Sequence, residues 1–334
     1  MGHRYYIRFG LSSKADASSK AMRDIMSLLD ADGYRPVRSL PLTAPKWLKV
    51  LDIPILVFTL LFLVGRKGTI MYIIPSNHSR IALIKRLQSI GRYRTLCFIN
   101  DVESLRMPKS QSYARAEMES IRCADVVLAP NRNSIDILQS RYGCTNRMIP
   151  VGVWDYLHDG ITYADAECNG PVAFAGNLRK APFVQQLGSL DLSFEIWGDS
   201  SQVGRSMDNV KFMGQSMPDE LPQLVKGCAW GLVWDGESIN SGEGMLGEYL
   251  RFNNSHKCGL YLAAGIPVIV WSNSGMASFV RENGVGICVD SLMQAQEIIR
   301  GMDEDSYALM RANAGKVSAK VIKGYYFLEA LKNV

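Results

Sequence analysis

A chain of 334 residues is too long for one ordinary core and suits two domains of roughly 150 residues each. With 47% hydrophobic and 21% charged residues it is globular, which excludes a disordered or fibrous protein. The formal net charge of +5 hides an uneven split: residues 1–150 carry 23 Lys+Arg against 11 Asp+Glu, and residues 151–334 carry 14 against 21.

The basic first half suggests an anionic partner, such as a lipid surface, a pyrophosphate-linked acceptor or nucleic acid; arginines that are merely solvated are the competing explanation. The seven cysteines are odd in number and none stands at CxxC spacing, which argues against a disulfide framework or a zinc site and for a reducing compartment. The four histidines are scattered, so no metal cluster is expected. No signal peptide is read: Met1–Arg8 is polar and runs into the strand-like YYIRFGL.

Both halves alternate short apolar strands with helical stretches, the pattern of parallel sheets with crossover helices. In chain order the first half predicts strands at Tyr5–Leu11, Tyr34–Ser39, Thr69–Ile74, Thr95–Ile99, Val126–Ala129 and Arg147–Val151. Helices are expected at Ser18–Leu29, Ser112–Cys123 and Ser134–Tyr142. The apolar run Ile53–Val64 is too short to span a bilayer, which takes roughly 20 residues. It reads either as a buried helix or as one that dips into a membrane surface. Residues 152–170 lack periodicity and hold three glycines, which marks an interdomain crossing.

The second half predicts strands at Pro171–Gly176, Ser193–Trp197, Val210–Met213, Ala229–Trp234, Pro267–Trp271 and Gly286–Val289. Helices fall near Asp219–Lys226, Ser255–Ala264, Gly275–Glu282 and Ser291–Gly301, and a helical tail runs from Ser306 to the end. The expected division is residues 1–152 as a first domain, 153–170 as the crossing and 171–312 as a second domain. Residues 313–334 form a helix that packs back towards the first domain. In doubly wound sheets, ligands bind beyond the carboxyl ends of the strands, so the interdomain cleft is the expected site.

Three segments carry candidate chemistry. In FNNSHKCGLYLAAGIPVIVW (252–271), Asn254 or Ser255 caps a helix, His256 and Lys257 occupy its first turn, and Gly265 ends it. Free N–H groups and a lysine at a helix start suit a diphosphate, although a surface helix with a solvated lysine fits the spacing equally. In PVAFAGNLRKAPF (171–183), Gly176 ends a strand and permits close approach, and Asn177, Arg179 and Lys180 follow; the P-loop pattern is absent. In WGLVWDGESINSGEGMLGEYLRF (230–252), a strand delivers Asp235 into a glycine-rich loop with Glu237, Glu243 and Glu248, whose carboxylates suit ribose or sugar hydroxyls.

The run Gly231–Trp271 resembles bacterial galactofuranosyltransferases of polysaccharide biosynthesis, which carry a stretch close to WDG-S…G-YL-FNNPHK-SLYL…PV-IW. The related glucosyltransferases that extend sugars on serine-rich adhesins share the helix and AAGIPVIV part and match the acidic loop less well. SSKAMRDI (18–25), FINDVESLR (98–106), AGNLRK and KGYYFLEAL also look like family motifs, so the resemblance extends along most of the chain. It implies the GT-B fold, an α/β class of two Rossmann-like domains facing a central cleft. The nucleotide-sugar lies on the C-terminal domain, the acceptor on the N-terminal one, and no metal or other cofactor is required.

Carried over residue by residue, Lys257 and Arg179 bind the donor diphosphate, with His256, Asn254 and Asn177 beside it. The turn at Phe212, Met213 and Gly214 meets the base through backbone groups. Asp235 or Glu248 binds ribose or sugar. Asp101 is the candidate general base, and Ser18, Ser19 and Lys20 line the acceptor side. The chain departs from the family pattern at Asn100, where relatives often have histidine before the aspartate, and at Ser255, where they favour proline.

The reading is a cytoplasmic hexosyltransferase, peripheral at the inner membrane face, that moves galactofuranose from a UDP-sugar to a saccharide acceptor, lipid-linked, with self-association as in relatives and no nucleic-acid partner. Its rivals are a glucosyltransferase acting on glycosylated protein, a silent partner of another transferase, and a nucleotide-sugar epimerase. The lack of a GxGxxG after the first strand argues against a dehydrogenase. Asp30-Ala31-Asp32 matches DxD but ends a helix before Gly33, so it reads as a turn.

Overall fold

Two six-stranded sheets organise the chain, and every strand pairing in them is parallel. The structure is a computed structural model and describes residues 3–7, 17–38, 51–202 and 207–334. The expected strand ends at 8–11 and Ser39, and the side chain of Ser18, lie outside the described residues.

The described residues fall into two units. The first holds the N-terminal strand, Met22–Val151 and Leu328–Val334; the second holds the start of the first helix through Ala21, and Gly152–Phe327. Residues 153–170, read from the sequence as a crossing, therefore belong to the second unit. Their lack of periodicity reflects irregular chain laid on a core, since Val153, Trp154 and Tyr156 are all buried.

The first unit runs β1 (Arg4–Tyr6), α1 (Ala17–Ala31), β2 (Arg35–Pro36), α2 (Asp52–Phe58), β3 (Thr69–Ile74), α3 (His78–Gly91), β4 (Arg94–Ile99), α4 (Glu103–Arg106), α5 (Gln111–Arg122), β5 (Val126–Ala129), α6 (Arg132–Ser140) and β6 (Arg147–Pro150). Its sheet order is β2-β1-β3-β4-β5-β6. The central strands are continuous apolar runs because helices cover both faces. Asn77, Ser110 and Asn131 cap α3, α5 and α6 with side-chain oxygens. The apolar run after Asp52 is neither wholly buried nor wholly exposed: α2 continues as a π-helical turn, Thr59–Val64, that sends Leu56, Leu60 and Val64 inward and leaves Ile53, Phe58, Phe62 and Leu63 exposed. At the chain's end, the Arg147 guanidinium donates to the Asn333 carbonyl at 2.6 Å.

The second unit runs β7 (Val172–Ala175), β8 (Phe194–Trp197), β9 (Val210–Gly214), α7 (Leu221–Val225), β10 (Trp230–Val233), α8 (Met245–Tyr249), α9 (His256–Ala263), β11 (Val268–Trp271), α10 (Ala277–Asn283), β12 (Gly286–Val289), α11 (Leu292–Gly301), α12 (Glu304–Val321) and α13 (Tyr325–Lys332). Its sheet order, β12-β11-β10-β7-β8-β9, puts β10 and β7 side by side at the centre. The expected single helical tail is broken: α12 stops before Gly324, whose φ of 75° is left-handed, and Asp155 caps the start of α13 by accepting the N–H groups of Tyr326 and Phe327.

Trp230, Trp234 and Trp271 fill the core of this unit, and two of their indole N–H groups are satisfied: Trp230 donates to the Cys168 carbonyl and Trp234 to the Ser238 carbonyl, each at 2.9 Å. Helix α9 lies against β10 at Gly231, where a Cβ would stand 2.2 Å from Cγ of Tyr261. The Tyr261 hydroxyl in turn accepts the Ala175 N–H at 2.8 Å, tying the helix to the end of β7. Gly231→Ala must push that ring aside in a packed interior. We expect a loss of about 2 kcal/mol, read as a lower thermal unfolding midpoint than that of the wild type.

Candidate donor site

The chain leaves the carboxyl ends of β7 and β10 side by side, and the residues that follow them meet the start of α9. After β7 comes Gly176. A Cβ there would stand 3.2 Å from Cε of Lys257, so glycine leaves room for the lysine stem. Asn177 then accepts the Arg179 N–H at 3.1 Å and winds Leu178–Lys180 into a single 3-10 turn, which presents the exposed Arg179 and Lys180. After β10 come Trp234 and Asp235.

The Asp235 carboxylate and the Lys257 ammonium stand 2.6 Å apart, with side chains 24% and 18% exposed. The ammonium also lies 5.4 Å from the centroid of the Phe174 ring. A cation is thus held at a defined point, largely shielded from water, where its attraction for an anion is stronger than on an open surface. Ser255 caps α9, its hydroxyl accepting the Lys257 N–H at 3.3 Å, so the cap role falls to Ser255 and not to Asn254. The His256 ring stacks on Trp154, with centroids 6.0 Å apart and planes 20° from parallel. Gly259 brings the helix onto the Trp154 backbone, where a Cβ would be 2.4 Å from the carbonyl oxygen. Burial pushes the neighbouring Cys258 thiol up to about 12, so it is a neutral packing group and no nucleophile.

The acidic loop between β10 and α8 is braced from within. Glu237 accepts the Met245 N–H at 3.3 Å and donates its own N–H to the Glu243 carbonyl at 3.1 Å, while Gly242 sits against the Trp271 ring. Glu248 is paired with Arg251, at 2.7 and 3.3 Å, and the Arg251 guanidinium lies 4.3 Å over Trp271. At the end of β9, Met213 is exposed and Gly214, at φ 82°, makes a turn whose carbonyl accepts the Gly198 N–H at 2.9 Å.

The structure therefore gathers Gly176, Asp235 and Lys257 directly, with Asn177, Ser255 and His256 on the same turns. Asn254, read from the sequence as standing beside the diphosphate, has a fully buried side chain. Lys20, read from the sequence on the acceptor side, is enclosed by the protein. Its buried ammonium donates to the Leu157 carbonyl at 2.8 Å, pairs with Asp219 at 3.1 Å and lies 4.8 Å over the Tyr156 ring, and Ser19 beside it is buried too.

In the first unit, Asp101 follows β4. Its N–H donates to the Ile74 carbonyl at 3.2 Å, and its carboxylate lies 3.5 Å from Arg106 and accepts from Asn100 at 3.3 Å. The buried Glu117 holds the segment by capping α4 through the N–H groups of Glu103 and Ser104, both at 2.9 Å.

Sequence reasoning missed the supports: Trp154 under His256, Tyr261 behind Ala175, and Glu237 inside the loop. Trp154 stands in a stretch without periodicity, and its place beside Asp155 is the one signal there. Ser274, just after β11, is buried with a hydroxyl that has no hydrogen-bond partner among the described residues. Among the described residues, no three His, Cys, Asp or Glu side chains gather as a metal site requires.

Against known proteins, residues 4–153 match the model of the Glucosyltransferase 3-like N-terminal domain and residues 172–334 that of the Glucosyltransferase 3-like C-terminal domain. The chain is 27% identical over 330 residues to the beta-1,6-galactofuranosyltransferase WbbI of Escherichia coli K12, covering 96% of this chain and 95% of the relative. It is 30% identical over 272 residues to Glucosyltransferase 3 of Streptococcus gordonii, covering 80% of this chain and 79% of the relative. Among solved structures, the fold matches sucrose-phosphate synthase of Thermosynechococcus elongatus (TM-score 0.61, 14% identity, 99% and 97% covered). It also matches Anabaena HepE in complex with UDP-glucose (TM-score 0.59, 15% identity, both chains covered at 100%). With both domain models matched and a relative at 30% identity over four fifths of its length, the chain belongs to the Glucosyltransferase 3-like family and is a GT-B glycosyltransferase.

Proposed function

We propose that this enzyme moves galactofuranose from its UDP-sugar to a hydroxyl of a lipid-linked saccharide, without a metal ion. The observation that carries the donor assignment is the Lys257 ammonium. It is fixed by Asp235 at the start of α9 and faces Gly176, where a diphosphate can approach backbone and cation together. The sugar follows the relative with the widest coverage, which is named as a galactofuranosyltransferase. Glucose is the second reading, favoured by the name of the Streptococcus gordonii relative.

In this reading the acceptor oxygen attacks the anomeric carbon as the bond from that carbon to the β-phosphate oxygen breaks. UDP departs with the bonding electrons. Negative charge grows on the diphosphate during this step, and donors already in position stabilise it without reorganising. Lys257 and the N–H groups at the start of α9 supply them, with Arg179 reaching the same anion from its exposed turn. Asp235 keeps the lysine from swinging into solvent. The carboxylate of Asp101 takes the proton that the acceptor hydroxyl loses.

Calorimetric titration with UDP tests the donor site. Binding should persist in EDTA and weaken about tenfold to a hundredfold in Lys257→Ala, as expected for loss of a hydrogen bond to a charged group. A wild-type protein that ignores UDP sinks the assignment. Turnover tests the base: Asp101→Asn should keep its UDP affinity while kcat drops by about 10²–10⁴, and an unchanged kcat removes Asp101 from the mechanism. Faster consumption of UDP-glucose than of UDP-galactofuranose in the same assay selects the second reading.

A further inference from the structure

The first unit carries an apolar face that its own core does not use. Along α2 and its π-helical continuation, Leu56, Leu60 and Val64 point inward. On the other side Phe62 is 70% and Phe58 54% exposed, with ring centroids 5.1 Å apart, and Ile53 and Leu63 are exposed beside them. An aromatic pair held in water costs free energy that only a covering phase returns.

Charge says what that phase is. The helix ends at Gly65 and passes at once into Arg66 and Lys67, both exposed. The Lys67 N–H donates to the Arg92 carbonyl at 3.3 Å, and the Arg94 N–H donates to the Gly68 carbonyl at 2.8 Å. Backbone bonding therefore gathers four exposed cations at the carboxyl end of the apolar helix. α3 adds Ile90, 68% exposed, one residue before Gly91, which abuts the Leu60 carbonyl.

We propose that this face is a docking surface for an anionic phospholipid bilayer, with Phe58 and Phe62 entering the acyl boundary and Arg66, Lys67, Arg92 and Arg94 meeting the headgroups. A second copy of the chain is the poorer occupant, because a two-fold contact would oppose one cation cluster to another. No helix among the described residues is long and apolar enough to cross a membrane, and a helix this short lies in the interfacial plane, where aromatic rings and basic side chains are favoured. The assignment is independent of the donor site and of the sugar transferred.

Vesicle flotation of the full chain tests it. Wild-type protein should float with vesicles of phosphatidylcholine plus phosphatidylglycerol, stay behind with phosphatidylcholine alone, and be released by salt. Phe58→Ser with Phe62→Ser should lower partitioning by about tenfold or more, and Arg66→Ser with Lys67→Ser by about fivefold for each cation removed. UDP binding should be unchanged in both. Should the phenylalanine variant fail to fold, Phe62→Trp replaces it: the emission that this substitution adds must be quenched by lipids brominated in the acyl chains. The proposal is overturned by a wild type that ignores anionic vesicles, by equal binding to neutral ones, by variants that float like the wild type, or by added emission in Phe62→Trp that the brominated lipids leave unquenched. It is also overturned if gel filtration shows an oligomer that the phenylalanine variant dissociates while no vesicle binding occurs.

Discussion

Helix α9 lies close on the sheet beneath it, and two glycines make that approach possible. Gly231 contributes no side chain to the middle of β10, and the Tyr261 ring occupies the space. Gly259 lets the same helix settle on the Trp154 backbone. The Tyr261 hydroxyl then caps the Ala175 N–H at the end of β7. Burial raises that hydroxyl far above its usual range, so it stays neutral at any working pH and remains a fixed hydrogen-bonding group. These contacts set the height of the helix start over the carboxyl ends of β7 and β10, and so decide where Lys257 stands.

Once that height is set, the ion pair sets the direction. A lysine has four rotatable bonds and on an open surface would spread its charge over a wide arc. The 2.6 Å contact with Asp235 confines it, and the partial shielding of both groups strengthens the restraint. The same carboxylate limits how much free positive charge the site offers, which leaves part of the anion's recognition to the N–H groups of the helix start and to Arg179. In the proposed mechanism the aspartate beside the lysine trades ground-state affinity for position, and position is what stabilises charge that appears only as the leaving group departs.

Much of the frame was legible in the sequence. Thr69–Ile74, Val126–Ala129 and Gly286–Val289 are strands with the expected ends because each is an apolar run closed by turn-forming residues. α9 was legible from its cap, Ser255, and its stop, Gly265, which has φ 72°. What stayed hidden depends on sheet register or on which side of a helix faces the core. Asp235 and Lys257 are 22 residues apart and meet only because α9 packs on β10. The surroundings of Lys20, which are Leu157, Tyr156 and Asp219, all lie far along the chain and could not be read from its own segment. The Ile53–Val64 run read as a buried helix or as membrane contact because composition does not say that the helix is π-wound and presents two faces of the same apolar kind.

The charge split between the halves poses a problem that the local geometry resolves. Residues 151–334 hold 21 acidic against 14 basic side chains, yet they carry the candidate site for a diphosphate. At physiological salt the field of distant exposed carboxylates decays within about 8 Å, so the sign at the site is set by what lies at contact. There Lys257, Arg179 and a helix start outweigh the surplus of distant acid. The proposed bilayer-docking surface in the basic half rests on the opposite rule: Arg66, Lys67, Arg92 and Arg94 are exposed, and such a cluster acts on an extended anionic surface through its number. A partly shielded, oriented cation is suited to read one anion by geometry, whereas a cluster of exposed ones is suited to read a charge density, and this chain keeps each in a different half.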